Sequence, residues 1–137
     1  MDVTKIPFNE YLGLELSSDS RYLMTLKEKE IYKNHLSTVH ASALFSLAEA
    51  TSGLFLLNQF NDLTGIIPVV RKVEIKYKKP AIGKIFSSAR LCEITKEEIL
   101  DTLTSKRRIL LNVEVSLYDE EEKNVMKAIF EWFVIMN

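Results

Sequence analysis

Two periods of apolar spacing divide the chain. From about His40 to Phe60 the positions Leu44, Leu47, Ala48, Leu54 and Phe55 keep the three- and four-residue spacing of one helix face, which predicts the longest helix of the sequence. After it the period falls to two. Val73, Ile75 and Tyr77 alternate with Glu74, Lys76 and Lys78, predicting a half-exposed strand that ends in the turn-forming run Lys79-Pro80-Ala81-Ile82-Gly83.

Three more strand-like runs follow, at Lys84 to Ile94, Arg107 to Tyr118 and Asn124 to Met136. The last two flank the acidic run DEEEKN and read as an antiparallel hairpin, with Ile109, Leu111, Val113, Val115 and Leu117 on one face of the first. Between the first two, Thr95-Lys96-Glu97-Glu98 fits a helix capping box; it starts either a single helical turn or the end of a hairpin. Upstream of the long helix, Pro7 and Gly13 bracket a short helix. Leu14 to Ser18 and Tyr22 to Lys27 then read as two short strands around the turn SSDS. Strands outnumber helices and connect as hairpins, so the predicted class is α+β: an antiparallel sheet packed on one central helix, in a single domain over residues 1–137.

Composition narrows the function classes. With 137 residues, 47% hydrophobic and 27% charged, the chain has the make-up of an ordinary globular protein and no low-complexity linker. Its formal net charge of −1 supplies no overall field toward nucleic acid or an anionic membrane, so neither is an expected partner. One cysteine, Cys92, cannot form an internal disulfide, and the first residues lack the pattern of a signal peptide; the expected location is the cytoplasm. The apolar stretch from 41 to 57 falls short of the roughly twenty residues a bilayer requires, and it carries Glu49 at its centre. A helix buried in protein fits it better.

Glu49 is the only formally charged residue between Ala41 and Asn61. At 100° per residue it shares a helix face with Ser42, Ser46, Ser52, Gly53 and Leu56, most of them small. Small neighbours leave a carboxylate in a recess, where partial desolvation raises its pKa toward values useful in proton transfer. The plain alternative is that Glu49 accepts hydrogen bonds from a nearby backbone or serine and has no chemistry. Just upstream, Asn34, Ser37, Thr38 and His40 lead into the helix start, whose unpaired N–H groups are suited to a carbonyl oxygen gaining negative charge. Here too a structural alternative stands, in which His40 and Asn34 only cap the loop.

The run N-x-x-S-T-V-H-A-S-A-L-F-S-L-A-E, from Asn34 to Glu49, resembles the signature of hotdog-fold acyl-CoA thioesterases of the phenylacetyl-CoA type. The segment from Ile75 to Gly83 is similar to the one that follows the central helix in that family, and the element order resembles the hotdog fold over nearly the whole chain. The resemblance implies that Glu49 polarises the attacking water or acts as nucleophile. Asn34 would help to orient water or thioester, and the backbone N–H of Ser42 would hold the thioester oxygen. His40 matches the family histidine. The site would lie between subunits of a homodimer or homotetramer, with coenzyme A present only as part of an acyl-CoA or acyl-carrier-protein substrate and no separate cofactor. Ala41 and Ser42 stand where the family has two glycines, and Ser37 where it often has one; a Cβ there narrows the approach of substrate to backbone. That departure motivates a second reading, a non-catalytic acyl-binding or assembly module on the same scaffold, with a dehydratase as a more distant third.

Among other side chains, Lys76, Lys78 and Lys79 belong to a basic cluster that could meet the phosphates of coenzyme A, or simply form the solvated face of a strand. His35 and His40 have no zinc-site spacing, and no metal is expected. No GxSxG, phosphate-loop or dinucleotide motif occurs. Cys92 reads as a structural thiol, and Trp132, with Phe130 and Phe133 in the last strand, as core packing.

Overall fold

A computed structural model describes residues 1–137. A 3₁₀ turn at Val3–Lys5 leads into α1 (Pro7–Leu12), β1 (Glu15–Leu16) and β2 (Met24–Leu26), and a second 3₁₀ turn lies at Glu30–Tyr32. The long helix α2 (Ala41–Asn58) follows, then β3 (Ile66–Tyr77), β4 (Ile85–Cys92), α3 (Lys96–Lys106), β5 (Arg108–Tyr118) and β6 (Asn124–Met136). The six strands form one sheet in the order β1-β2-β4-β5-β6-β3, and every neighbouring pair is antiparallel. The sheet packs on α2, the α+β arrangement that the periods predict and the hotdog arrangement that the resemblance implies.

The two periods explain this packing. On β5 the alternate residues Ile109, Leu111, Val113, Val115 and Leu117 are buried, and β6 adds Ala128, Phe130, Trp132 and Val134 to the same face. That face meets Leu44, Leu47, Ala48 and Leu56 of α2. Complete burial of a side chain such as Leu47 or Phe130 stabilises the fold by about 1.5–3 kcal/mol, so this layer holds helix to sheet. A polar tie also crosses it: the Thr51 hydroxyl donates to the Leu47 carbonyl at 2.8 Å and meets the hydroxyl of Ser87 on β4. β6 pairs with β3 from Tyr77–Met126 to Ile66–Met136, with a bulge between Val70 and Lys72, and leaves β3 with one free edge.

Several elements differ from the sequence expectation: β3 begins at Ile66, ahead of the alternation at Val73, Ile75 and Tyr77. The segment opened by Thr95 is a full helix of 11 residues, not one turn or a hairpin end. Thr95 Oγ1 accepts from the Glu98 N–H at 3.1 Å, and Ile99 and Leu103, four apart, are buried beneath it. Arg107, with φ 65°, closes it in a left-handed cap. The two short strands are shorter than predicted, because the turn around Asp19 takes residues 17–22 out of the ladder.

Candidate functional site

Glu49 lies mid-way along α2 and is half buried. Its carboxylate accepts no hydrogen bond from the chain and has no cation within ion-pair distance. Burial is the one cause that acts on its acidity, and it raises the pKa above the ordinary value of 4.5. An acid neutralised by nothing in its own chain, on a helix without another charge, can accept a proton from a bound molecule.

The space beside it is a cavity of about 510 Å³, within the range of small-molecule sites, and its walls are mostly apolar. Val3 and Ile6 come from the N-terminal segment, Leu57 from α2, and the run Ile66 to Val70 from the start of β3. Gly53, one turn beyond Glu49, opens the floor. A Cβ built there would stand 3.7 Å from Cη2 of Trp132, an ordinary contact, so the ring forms the wall opposite the glycine. The indole Nε1–H donates to Ser52 Oγ at 3.3 Å, and that hydroxyl donates to the Glu49 carbonyl at 2.8 Å, which ties the helix turn carrying the acid to β6. Of the face expected around Glu49, Gly53 borders the cavity, whereas Ser46, Ser52 and Leu56 are buried.

The residues before α2 form a second group. Asn34 is committed to its own loop: Oδ1 accepts from the N–H groups of Leu36 and Thr38 at 2.9 and 3.1 Å, and Nδ2 donates to Thr38 Oγ1 at 2.9 Å. Ser37 sits at φ 61°, the left-handed region that favours glycine, which accounts physically for the glycine of the family it resembles. His40 is the N-cap of α2. Its Nδ1 accepts the Ser42 N–H at 2.9 Å, so the amide expected to meet a thioester oxygen already has a partner. The N–H of Ala41 makes no hydrogen bond within the chain and is the open donor at this helix end. The Tyr77 hydroxyl donates to the Ala41 carbonyl at 3.3 Å.

Asn34, Ala41, Tyr77, Lys78 and Lys79 border a second depression, of about 370 Å³, which shares no lining residue with the cavity at Glu49. One chain therefore brings Asn34, Ala41, Lys78 and Lys79 together and keeps Glu49 apart from them. Lys79 is engaged by Asp119 at 3.5 Å; Lys78 has no carboxylate partner, and Lys76 stands opposite Lys127 in the ladder, outside both depressions. Cys92 is half buried, and burial pushes its thiol up, away from the thiolate a nucleophile needs.

Sequence reasoning missed the other walls of the Glu49 cavity: the N-terminal residues Val3, Ile6 and Asn9, the start of β3, and Trp132, which it had placed in packing alone. Nothing local marks these positions, since they meet only after the chain has folded. No helix is long and apolar enough to cross a membrane.

The model of a family described as Domain of unknown function (DUF4442) matches residues 12–134. No curated protein matches the sequence. Among solved structures, the chain is similar to a protein of unknown function from Pseudomonas aeruginosa described as a probable thioesterase, with TM-score 0.80 and 23% identity over 98% of this chain and 91% of that one. It is also similar to a thioesterase of Haemophilus influenzae, with TM-score 0.72 and 16% identity over 98% and 86% of the two chains. A third is a Bacillus halodurans protein solved with CoA, with TM-score 0.66 and 21% identity over 82% and 70%. At these identities the likeness shows the shared hotdog fold.

Proposed function

We propose a function for this chain, which belongs to the family described as Domain of unknown function (DUF4442): it hydrolyses acyl thioesters, with Glu49 as the base that activates water. The observation that carries this reading is the Glu49 carboxylate, without a partner in its chain, at the wall of a largely apolar cavity. The acyl group occupies the cavity. Water donates a proton to Glu49 as its oxygen attacks the thioester carbon, the carbonyl oxygen becomes an oxyanion, and the C–S bond breaks as the thiolate leaves and takes up a proton. In the variant route, the Glu49 carboxylate itself attacks and water then hydrolyses the resulting anhydride.

The oxyanion requires donors, and those of α2 lie around the second depression. A homodimer or homotetramer in which the helix start of one chain faces the cavity of another resolves this separation, and the free edge of β3 is a surface available for such pairing. The Ala41 N–H is the open donor there; the Ser42 N–H joins it once the His40 ring turns away. Asn34 acts by holding that loop. Lys78, just past the end of β3, and Lys76 within that strand meet phosphates of coenzyme A or of a carrier-protein arm in this reading, Lys79 being held by Asp119. The CoA bound to the Bacillus halodurans relative supports this class of substrate. Coenzyme A enters only as part of the substrate, within one cytoplasmic domain.

A second reading keeps the acyl group and drops the chemistry. It is favoured by one observation, the capture of the Ser42 amide by His40 beside the Cβ of Ala41. Release of free thiol from a panel of acyl-CoA and acyl-carrier-protein thioesters separates the two. Turnover by the wild type that falls at least about a hundredfold in Glu49→Gln supports hydrolysis; binding without turnover supports the acyl-binding module.

A further inference from the structure

Asn9 is an asparagine where the fold would ordinarily place a hydrocarbon. It lies in α1, is only 6% exposed, and borders the same cavity as Glu49. Its Nδ2 donates to the Val3 carbonyl at 3.0 Å. That contact orients the amide, because only the NH₂ end can face a carbonyl, and so Oδ1 is turned away from Val3. Oδ1 accepts nothing from the chain. It is not sealed off either: no buried side-chain nitrogen or oxygen lacks a partner, so this atom keeps an opening to solvent, and the cavity is the space Asn9 borders.

The remaining walls make that acceptor conspicuous. Apart from Asn9 and Glu49, the cavity is lined by apolar side chains and by Trp132, whose one N–H is committed to Ser52. A purely hydrocarbon acyl group that expels water leaves Oδ1 without a donor. An acyl group with a hydroxyl or amide N–H at the right depth restores the bond that water had supplied.

We propose that Asn9 is a specificity-determining residue that selects acyl groups bearing a hydrogen-bond donor, by presenting Oδ1 inside the otherwise apolar cavity. This rests on the reading of the cavity as the acyl site, and the test keeps the two apart. Binding is followed by the fluorescence of Trp132, the single tryptophan, in Glu49→Gln, which holds substrate without consuming it; kcat/KM is measured in the wild type. The probes are decanoyl-CoA and two hydroxylated counterparts, one with the hydroxyl near the thioester and one with it at the far end of the chain.

The expected result is that at least one hydroxylated probe is favoured about tenfold over decanoyl-CoA in affinity and in kcat/KM, and that Asn9→Leu erases or reverses the preference. Circular dichroism establishes that the variant is folded; should it not fold, the preference measured with Asn9 intact decides alone. Equal affinity across the probes, or a preference that survives in Asn9→Leu, overturns the proposal, as does failure of every probe to bind. A binding preference that depends on Asn9 without thiol release from the wild type upholds Asn9 and sinks the hydrolase reading.

Discussion

Replacing Gly53 with alanine should make the protein more stable and the cavity beside Glu49 smaller. In the interior of α2 a glycine costs roughly 0.5–1 kcal/mol relative to alanine, through the backbone freedom it loses on folding. The added methyl would stand 3.7 and 3.8 Å from Cη2 and Cζ2 of Trp132, ordinary contact distances, so no strain offsets the gain. A few carbon–carbon contacts at about 0.1–0.2 kcal/mol each add slightly to it. For a chain of this length 1 kcal/mol corresponds to about 3–5 °C, and calorimetry of Gly53→Ala should show an upward shift of about 2–5 °C. The same methyl projects into the cavity beside Glu49, so KM should rise for acyl groups that fill the space, by up to about tenfold, while kcat changes little. A fall in melting temperature would refute the contact geometry at Trp132. An unchanged KM for acyl groups of every length would refute the placement of the acyl group against Gly53.

Other predictions follow from single contacts. Ser37→Gly relieves a left-handed backbone at φ 61° and should stabilise the protein by about 1 kcal/mol in urea unfolding, with m unchanged. His40→Ala removes the cap on the Ser42 amide and should cost about 1 kcal/mol, whereas His40→Asn, a good capping residue, should stay within about 0.5 kcal/mol of wild type in the same assay. Burial raises the Glu49 pKa, so its contribution to stability is fully present below the unfolded value near 4.5 and is lost as pH rises through the folded value. Unfolding free energies across that range should show Glu49→Gln gaining on wild type as pH rises, while wild-type kcat/KM climbs over the same window as the base ionises.

Much of the fold was legible because two periods, 3.6 and 2, were cleanly separated along the chain. The alternation in β5 fixed which side chains face α2, and burial follows it residue by residue. α3 was harder, because Ile99 and Leu103 are its only buried residues and two apolar positions make a faint period. At the site, Glu49 stood out through isolation, which is a local property of sequence. Asn9, Val3 and the start of β3 did not, since their meeting with Glu49 is set by packing across the whole chain. A capping role for His40 was open as an alternative, for a histidine next to a helix start can cap or catalyse and spacing does not choose; that the cap takes the Ser42 amide was not legible. Nor could spacing show that Lys79 is held by Asp119 while Lys78 is free.

In the proposed reaction Glu49 acts as a base because nothing in its chain neutralises it. Thiol release from acyl-CoA substrates by wild type and Glu49→Gln, with acyl-CoA binding measured in both, tests it most directly. The wild type should turn over measurably, the variant should lose at least about a hundredfold, and binding should be retained within a few-fold. Turnover that survives the substitution would contradict that role of Glu49.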